Sequence, residues 1–258
     1  DLMRENLDLR DLVVDSTPLG RIGEASEAAE AVLFLAGDLS NFITDTAKDV
    51  FIPLSVGGGI RSIDDMKKMF SAGADKICIN SSIIENPNLL EKAAKIFGSA
   101  NITIMIQSIR VDAKYNVSKA NGRDLVNITP IKWAKKVENY GAGEIILTSV
   151  NNEGLKKGFD IKLTNAVSQS VNIPVIAHGG AGNFKDIYEV ISKTKISGVG
   201  LASILHYDAL NYFPKFDPKV GNTTFLKNIS KPKNRKNIIY QLKNYLSLKG
   251  IKVRHEQK

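Results

Sequence analysis

Glycine-rich and polar residues follow the apolar runs of this sequence, at positions where they could bind a phosphate group. The sequence reads GGG at 57–59, NSS at 80–82, NNEG at 151–154, HGGAG at 178–182 and AS at 202–203. Glycine allows backbone N–H groups to approach a ligand closely, and the N-terminus of a following helix favours an anion. Two glycine turns with polar neighbours at equivalent positions predict two phosphate sites. The alternative is that these glycines only allow tight turns between strand and helix.

Six short apolar runs precede these residues and predict strands. They cover 51–56, 76–79, 102–106, 144–150, 173–177 and 199–205. Nearly continuous apolar runs of this length are typical of parallel strands that are buried on both faces. Amphipathic segments at 62–71, 88–97, 130–140, 162–170 and 184–193 predict the intervening helices, and a last helix is predicted at 237–248. These strand–helix units predict an α/β fold, doubly wound or closed as a barrel, with ligands at the carboxyl ends of the strands.

The composition is that of an ordinary globular protein. The chain has 258 residues, of which 43% are hydrophobic and 24% charged, and a single cysteine, Cys78. One cysteine forms neither an internal disulfide nor a cysteine-rich metal site, so we expect a reducing cytoplasm, no metal, and Cys78 packed in the core. No apolar run approaches about 18 residues, which predicts no membrane span. The chain begins at Asp1 rather than Met, which favours a fragment or a mis-joined product.

The formal net charge of +8 comes from the end of the chain. Residues 209–258 contain 12 Lys and Arg against 2 Asp and Glu, whereas residues 1–208 contain 23 basic and 25 acidic residues. A basic tail could bind nucleic acid or an anionic surface. It lacks regularly interleaved aromatic residues and any nucleic-acid motif, so we expect a solvated charged surface and no nucleic-acid partner.

Several longer stretches resemble one known family. They read PLSVGGGIRSIDDMKKMFSAGADKICINSS, RVDAKYNV, WAKKVENYGAGEIILTSVNNEG, IPVIAHGGAG and LKNYLSLKGIKVR, and they run in order from about residue 47 to 254, apart from 208–235. This text is similar to HisF, the cyclase subunit of imidazole glycerol phosphate synthase, a lyase of histidine biosynthesis. The resemblance implies a (β/α)8 TIM barrel without a cofactor. It also implies a HisH-like glutamine amidotransferase partner, whose ammonia reaches a ribulosyl-carboxamide nucleotide held by its two phosphates.

The family's phosphate sites match this sequence residue by residue. One resembles Gly58, Gly59, Asn80 and Ser81, and the other resembles Gly154, Gly179, Gly180, Ala202 and Ser203. Lys76 and Glu144 stand at strand starts, where the family builds part of a charged gate to its ammonia channel. The alternative for this pair is two solvent-facing charges at strand ends.

The family's catalytic positions depart from the pattern. Gln107 stands where the family has one of its two catalytic aspartates, and a neutral amide can orient a substrate but cannot relay protons. Asn151 replaces an aspartate of the family, while Glu153 retains a carboxylate. His178 stands where the family usually has a small residue, and it is either an acid–base group or a spectator that binds the loop or a sugar hydroxyl. His206 matches a histidine common in the family, and we expect a structural role.

The first 46 residues resemble a different family. The stretch STPLGRIGEASEAAEAVLFLAGDLSNFIT is similar to the C-terminal region of short-chain dehydrogenases, without their catalytic residues or nucleotide turn. The interpretation is a foreign helical segment at 1–46, then a HisF-like barrel at 47–258 with an insertion at 208–235. Such a barrel lacks its first two strands and exposes two sheet edges, so we expect marginal stability unless a partner covers them.

Two functions from different classes follow from these observations. The first is a HisF-like synthase subunit that uses ammonia on a phosphorylated sugar or nucleotide, for histidine biosynthesis or, since Gln107 favours a paralogue, for amidation of surface sugars. The second is a phosphate-binding scaffold or inactive fusion without chemistry. Gln107 predicts that the chain does not replace the histidine enzyme in an auxotroph.

Overall fold

The structure is a computed structural model that describes residues 43–44, 46–47, 52–120, 122–205 and 238–254. The chain divides into two compact units, 40–204 with 239–258, and 1–39 with 205–238. The elements given below belong to the first unit, and the second lies almost entirely outside the described residues. Nearly all of the dehydrogenase-like segment, the insertion at 208–235 and His206 lie outside them too, so those interpretations stay predictions.

Six parallel strands form the main sheet. They are β1 (Ser55–Gly57), β2 (Lys76–Ile79), β3 (Ile102–Val111), β6 (Glu144–Ser149), β7 (Val175–His178) and β8 (Gly198–Gly200). Their order in the sheet, β1-β2-β3-β6-β7-β8, follows the chain without a reversal. A doubly wound sheet reverses its strand order, so the sequential order favours the barrel type of α/β fold. The predicted parallel α/β architecture is confirmed.

Two further strands form an antiparallel extension of the sheet. β4 (Lys114–Lys119) pairs with β3, and β5 (Asp124–Val126) pairs with β4. Sequence analysis predicted β3 only as far as residue 106, but the strand continues to Val111 and turns back there. Asp112 and Ala113 form this turn with φ values of 47° and 65°. The extension therefore rises from the carboxyl end of β3, beside the predicted ligand edge.

The helices lie between the strands, as predicted, and begin at capping residues. They are α1 (Ile63–Ser71), α2 (Ser81–Glu85), α3 (Asn88–Phe97), α4 (Pro130–Asn139), α5 (Ile161–Ser168), α6 (Phe184–Lys193) and α7 (Ile238–Leu248). At the start of α1 the Ser62 hydroxyl accepts from the Asp65 N–H, and the Asp65 carboxylate accepts from the Ser62 N–H. Such a reciprocal cap satisfies two backbone donors that the helix leaves unpaired. Asn183 and Asp186 repeat it at α6.

The two faces of the sheet differ in burial. Alternate strand residues such as Ile77, Ile104 and Ile145 are fully buried against helix residues that include Leu90 and Val137. The residues between them point to the opposite face, because side chains alternate along a strand. On this face, called the inner face below, Cys78, Met105, Ile146 and Ile176 are only partly buried. The polar residues of the predicted site lie on the inner face and in the turns at its edge.

Candidate functional site

Five predicted phosphate-binding residues line one pocket. Gly154, Gly179, Gly180, Ala202 and Ser203 surround a cavity of about 230 Å³ at the carboxyl ends of β6, β7 and β8. Glu153 and His178, two of the three predicted catalytic residues, line the same cavity. Residues that are up to 50 positions apart in the sequence therefore meet at one edge of the sheet.

The turn after β7 is bonded to the loop after β6. The Gly180 carbonyl accepts a hydrogen bond of 2.8 Å from the Gly158 N–H. Gly180 has φ of 110°, and a Cβ atom placed there would lie 2.1 Å from the Gly158 carbonyl oxygen. Both the conformation and the close approach require glycine at this position. The backbone of the pocket is therefore fixed by two neighbouring loops together.

The other predicted phosphate set follows β1 and β2, at the opposite end of the strand order. Gly58 and Gly59 form the turn after β1, and Asn80 and Ser81 follow β2. The two turns are joined because the Ser82 hydroxyl donates a hydrogen bond of 2.7 Å to the Ile60 carbonyl. The predicted residues thus form two separate groups at the carboxyl edge. Their phosphate contacts stay predictions.

A row of polar side chains crosses the inner face at this edge. Gln107 of β3 is in register with Thr148 of β6, and Thr148 is in register with His178 of β7. Partners in register point to the same face of a parallel sheet, so these side chains are neighbours. The Asn80 side-chain N–H donates to the Gln107 Oε1 at 3.0 Å, while the buried Asn80 Oδ1 has no hydrogen-bond partner. The row therefore extends from β2 to β7.

His178 has a polar group on one side of its ring and a glycine on the other. Its Nδ1 lies 3.0 Å from the Thr148 Oγ1 and 4.0 Å from the Glu153 Oε1. On the opposite side, a Cβ atom placed on Gly200 of β8 would lie 3.0 Å from the His178 Cδ2. The side chain of His178 is 22% exposed and that of Glu153 is 48% exposed. The glycine in β8 thus leaves room for the imidazole at the pocket.

Asn151, which replaces an aspartate of the family, binds backbone rather than facing the pocket. Its Oδ1 accepts from the Arg110 N–H at 2.7 Å, and its Nδ2 donates to the Arg110 carbonyl at 3.4 Å. A second contact joins the same two segments, because the Tyr115 hydroxyl donates to the Asp160 carboxylate at 3.0 Å. Burial, then the hydrogen bond and the negative charge of Asp160, raise the pKa of Tyr115. The antiparallel extension is therefore held against the loop after β6.

The predicted gate residues form an ion pair at the opposite end of the inner face. The Lys76 Nζ lies 3.1 and 3.2 Å from the two carboxylate oxygens of Glu144. The Thr103 hydroxyl, which is fully buried, donates to the same carboxylate at 3.0 Å. Their side chains are 34% and 18% exposed, so they are not freely solvated charges. Burial, with the nearby Glu144 charge, raises the pKa of the Cys78 thiol to about 11.

Sequence analysis missed the threonines of both clusters. Thr103 and Thr148 lie inside apolar runs, where threonine is an ordinary strand residue. Counting alternate positions back from Gln107 and forward from Glu144 assigns both threonines to the polar face. That signal becomes specific only when the register between β3 and β6 is known.

The described part of the chain contains no cluster of His, Cys, Asp and Glu that could hold a metal ion. Within the same residues, every helix is too short or too polar to cross a membrane. The pocket chemistry therefore rests on backbone amides, hydroxyls, one carboxylate and one imidazole.

The chain matches a family and many of its members. The family described as histidine biosynthesis protein matches residues 36–211. The imidazole glycerol phosphate synthase subunit HisF of Natranaerobius thermophilus is 36% identical over 236 residues, which cover 88% of this chain and 83% of that protein. The HisF of Clostridium botulinum is 43% identical over 195 residues, 72% of this chain and 77% of that protein.

The HisF of Prochlorococcus marinus subsp. pastoris is 47% identical over 171 residues, which cover 65% of this chain and 67% of that protein. These similarities agree with the sequential parallel sheet and with the pocket at its carboxyl edge. The chain belongs to the histidine biosynthesis protein family, in its HisF branch.

Proposed function

We propose that the chain is a HisF-type synthase subunit that transfers ammonia to a phosphorylated nucleotide substrate in histidine biosynthesis. The observation that carries this proposal is the shared pocket, where the five residues of one predicted phosphate site meet Glu153 and His178. The names of the relatives support the reaction class. The substrate is the bisphosphorylated ribulosyl-carboxamide nucleotide that the family resemblance implies.

The two glycine turns bind the two phosphates in this proposal. Backbone N–H groups of the turn at Gly179 and Gly180, with the Ser203 hydroxyl, donate to one phosphate. The turn at Gly58 and Gly59, with Ser81, donates to the other. Glycine turns suit this task because no Cβ blocks the approach of the phosphate oxygens. Two anchors at opposite ends of the strand order fix an elongated substrate across the edge.

Ammonia reaches this edge along the inner face. The Lys76–Glu144 pair marks the entrance, where a HisH-like glutamine amidotransferase partner docks. From Thr103 to Gln107 the distance along β3 is roughly 13 Å, at about 3.3 Å per residue. The partly buried side chains of Cys78, Met105 and Ile146 lie between the two ends. An apolar path suits ammonia because it disfavours the charged ammonium ion.

Glu153 and Gln107 serve different roles at the edge. Glu153 carries a carboxylate at the pocket and moves a proton or orients a protonated group of the substrate. The Gln107 amide has no titratable proton, so it binds and orients the substrate. The reaction takes place in the cytoplasm and uses no cofactor, metal or nucleic acid.

Gln107 also favours a second candidate function, a phosphate-binding scaffold without chemistry. A scaffold needs the glycine turns but no proton-transfer group. It therefore binds phosphate as tightly when Glu153 is replaced by Gln, and it supports no turnover.

Growth of a histidine auxotroph that lacks its own HisF tests the proposal. We expect growth with this chain and none with Glu153→Gln, provided that both proteins accumulate equally. Absence of growth with the unaltered chain, at a level of folded protein comparable to a HisF control, would contradict the histidine-pathway function. Retained phosphate binding in that protein would favour the scaffold.

A further inference from the structure

We propose that His178 is the acid–base group of this site, held by Thr148 and Glu153 with its proton on Nδ1 and with Nε2 free to react. This inference rests on the proposed function and specifies how the site manages without an acid at Gln107. It assigns a catalytic role to a residue of β7 and a positioning role to Thr148 of β6.

The polar row on the inner face carries the first step of the argument. Gln107, Thr148 and His178 occupy one register level on three neighbouring strands. Within this row the amide and the hydroxyl do not titrate near neutral pH, whereas an imidazole does. The group that can exchange a proton is therefore two strands away from Gln107, on the same face and at the same edge.

The surroundings of the ring carry the second step. Thr148 contacts Nδ1 from β6 at 3.0 Å, and Glu153 faces the same nitrogen from the following loop at 4.0 Å. Glu153 is the charged side chain for which the described residues give an ion-pair distance to His178. A negative charge beside Nδ1 favours a proton on that nitrogen, and the threonine oxygen accepts its hydrogen bond. In a neutral imidazole Nε2 then keeps its lone pair.

The other side of the ring carries the third step. The His178 Cδ2 lies against Gly200 of β8, where the glycine offers no hydrogen-bonding side chain. Nδ1 is thus engaged by β6 while the far end of the ring lines the pocket beside the glycine turn. A ring held on one edge and partly exposed on the other suits a group that must meet a substrate.

The proton balance of the proposed step is simple. When the nitrogen of ammonia forms a bond to a carbonyl carbon of the substrate, that nitrogen loses a proton to Nε2. The imidazolium returns the proton to the carbonyl oxygen, which leaves as water when the carbon–nitrogen double bond forms. His178 ends the cycle with the protons that it had at the start.

Thr148 is a positioning residue because it acts through His178. Thr148→Val removes the oxygen at nearly constant volume, so Nδ1 loses its partner and the ring loses its fixed tautomer. Thr148→Ser keeps the oxygen. Thr164, a buried threonine of α5, provides the matched control Thr164→Val.

The first test measures the ring directly in the unaltered chain. Nitrogen-15 NMR at neutral pH distinguishes the two imidazole nitrogens, with His178→Asn used for assignment. We expect a protonated Nδ1 and an unprotonated Nε2 in the unaltered chain, with a mixture of tautomers in Thr148→Val. A protonated Nε2 with a bare Nδ1 in the unaltered chain would overturn the inference.

The second test measures turnover of the ribulosyl-carboxamide nucleotide with ammonium as the nitrogen source. General acid–base groups contribute about 100-fold or more, so His178→Asn should lower kcat by at least about 100-fold and remove the limb of the pH–rate profile between pH 5 and 8. Thr148→Val should lower kcat by about fivefold, the equivalent of one hydrogen bond, and shift that limb. Thr148→Ser and Thr164→Val should leave the limb in place.

The outcomes separate this inference from the proposed function. An active unaltered chain with an equally active His178→Asn and the same pH profile would overturn the role of His178 alone. An unaltered, folded chain without ammonia-dependent turnover would contradict the proposed function and the acid–base role together. Partial recovery of His178→Gly by added imidazole would support the inference, because it restores the missing group without the fold.

Discussion

Replacement of Gly180 by alanine should destabilise the protein far more than the same replacement at Gly58. The two glycines have nearly equal φ values, 110° and 106°, so an alanine meets the same type of backbone strain at both, about 1–3 kcal/mol. At Gly58 the added Cβ has no atom within 4 Å, whereas at Gly180 it lies 2.1 Å from the Gly158 oxygen. That overlap forces the two loops apart and breaks the bond between the Gly158 N–H and the Gly180 carbonyl.

The magnitude of the difference follows from this geometry. Loss of the loop hydrogen bond costs about 1 kcal/mol, and the displaced backbone loses contacts of similar value. Gly180→Ala should therefore lower the free energy of unfolding by about 2 kcal/mol more than Gly58→Ala. Urea unfolding followed by far-UV circular dichroism measures both. Equal losses, within about 0.5 kcal/mol, would refute the claim that the loop after β6 fixes the phosphate turn.

Three further predictions concern titrating groups. Burial and a nearby carboxylate raise the pKa of Cys78 from 9.0 to about 11, so at pH 8 iodoacetamide should alkylate this single cysteine about 100-fold more slowly than a free thiol; an equal rate would contradict the burial. Burial and Asp160 raise the pKa of Tyr115, so the advantage of the unaltered chain over Tyr115→Phe in urea unfolding should be full below pH 10 and decrease above it. A hydrogen bond from the Arg61 N–H, with others at the helix cap, lowers the pKa of Asp65. The unaltered chain should accordingly exceed Asp65→Asn in stability at pH 7 and lose this advantage as the pH falls below about 4; an advantage that does not change with pH would contradict the cap.

The parallel fold was predictable because its signals are local. β2 is a continuous apolar run with the predicted bounds, and α3 and α6 also have theirs, since caps and glycines mark their ends. The antiparallel extension was not predicted. Its strand β4 reads KYNVSK, which is polar because it rises away from the core. A strand without an apolar face leaves no periodic signal in the sequence.

The site was predictable in its glycines and not in its threonines. Gly179 and Gly180 follow an apolar run in an evident turn, so their place at the strand end could be read from the sequence. The contact of Thr148 with His178 depends on the register of two strands that lie 30 residues apart. Register is set by the packing of the whole sheet against its helices, which no short stretch of sequence specifies.

Incorporation of ¹⁵N from labelled ammonium into product tests the central claim most directly. The purified chain is incubated with the bisphosphorylated ribulosyl-carboxamide nucleotide and ¹⁵N-ammonium, and the products are separated and measured by mass spectrometry. The account predicts one ¹⁵N atom in the imidazole ring of the product, formed in proportion to the amount of chain added. A folded chain that binds the nucleotide but incorporates no label above the reaction without protein would contradict it.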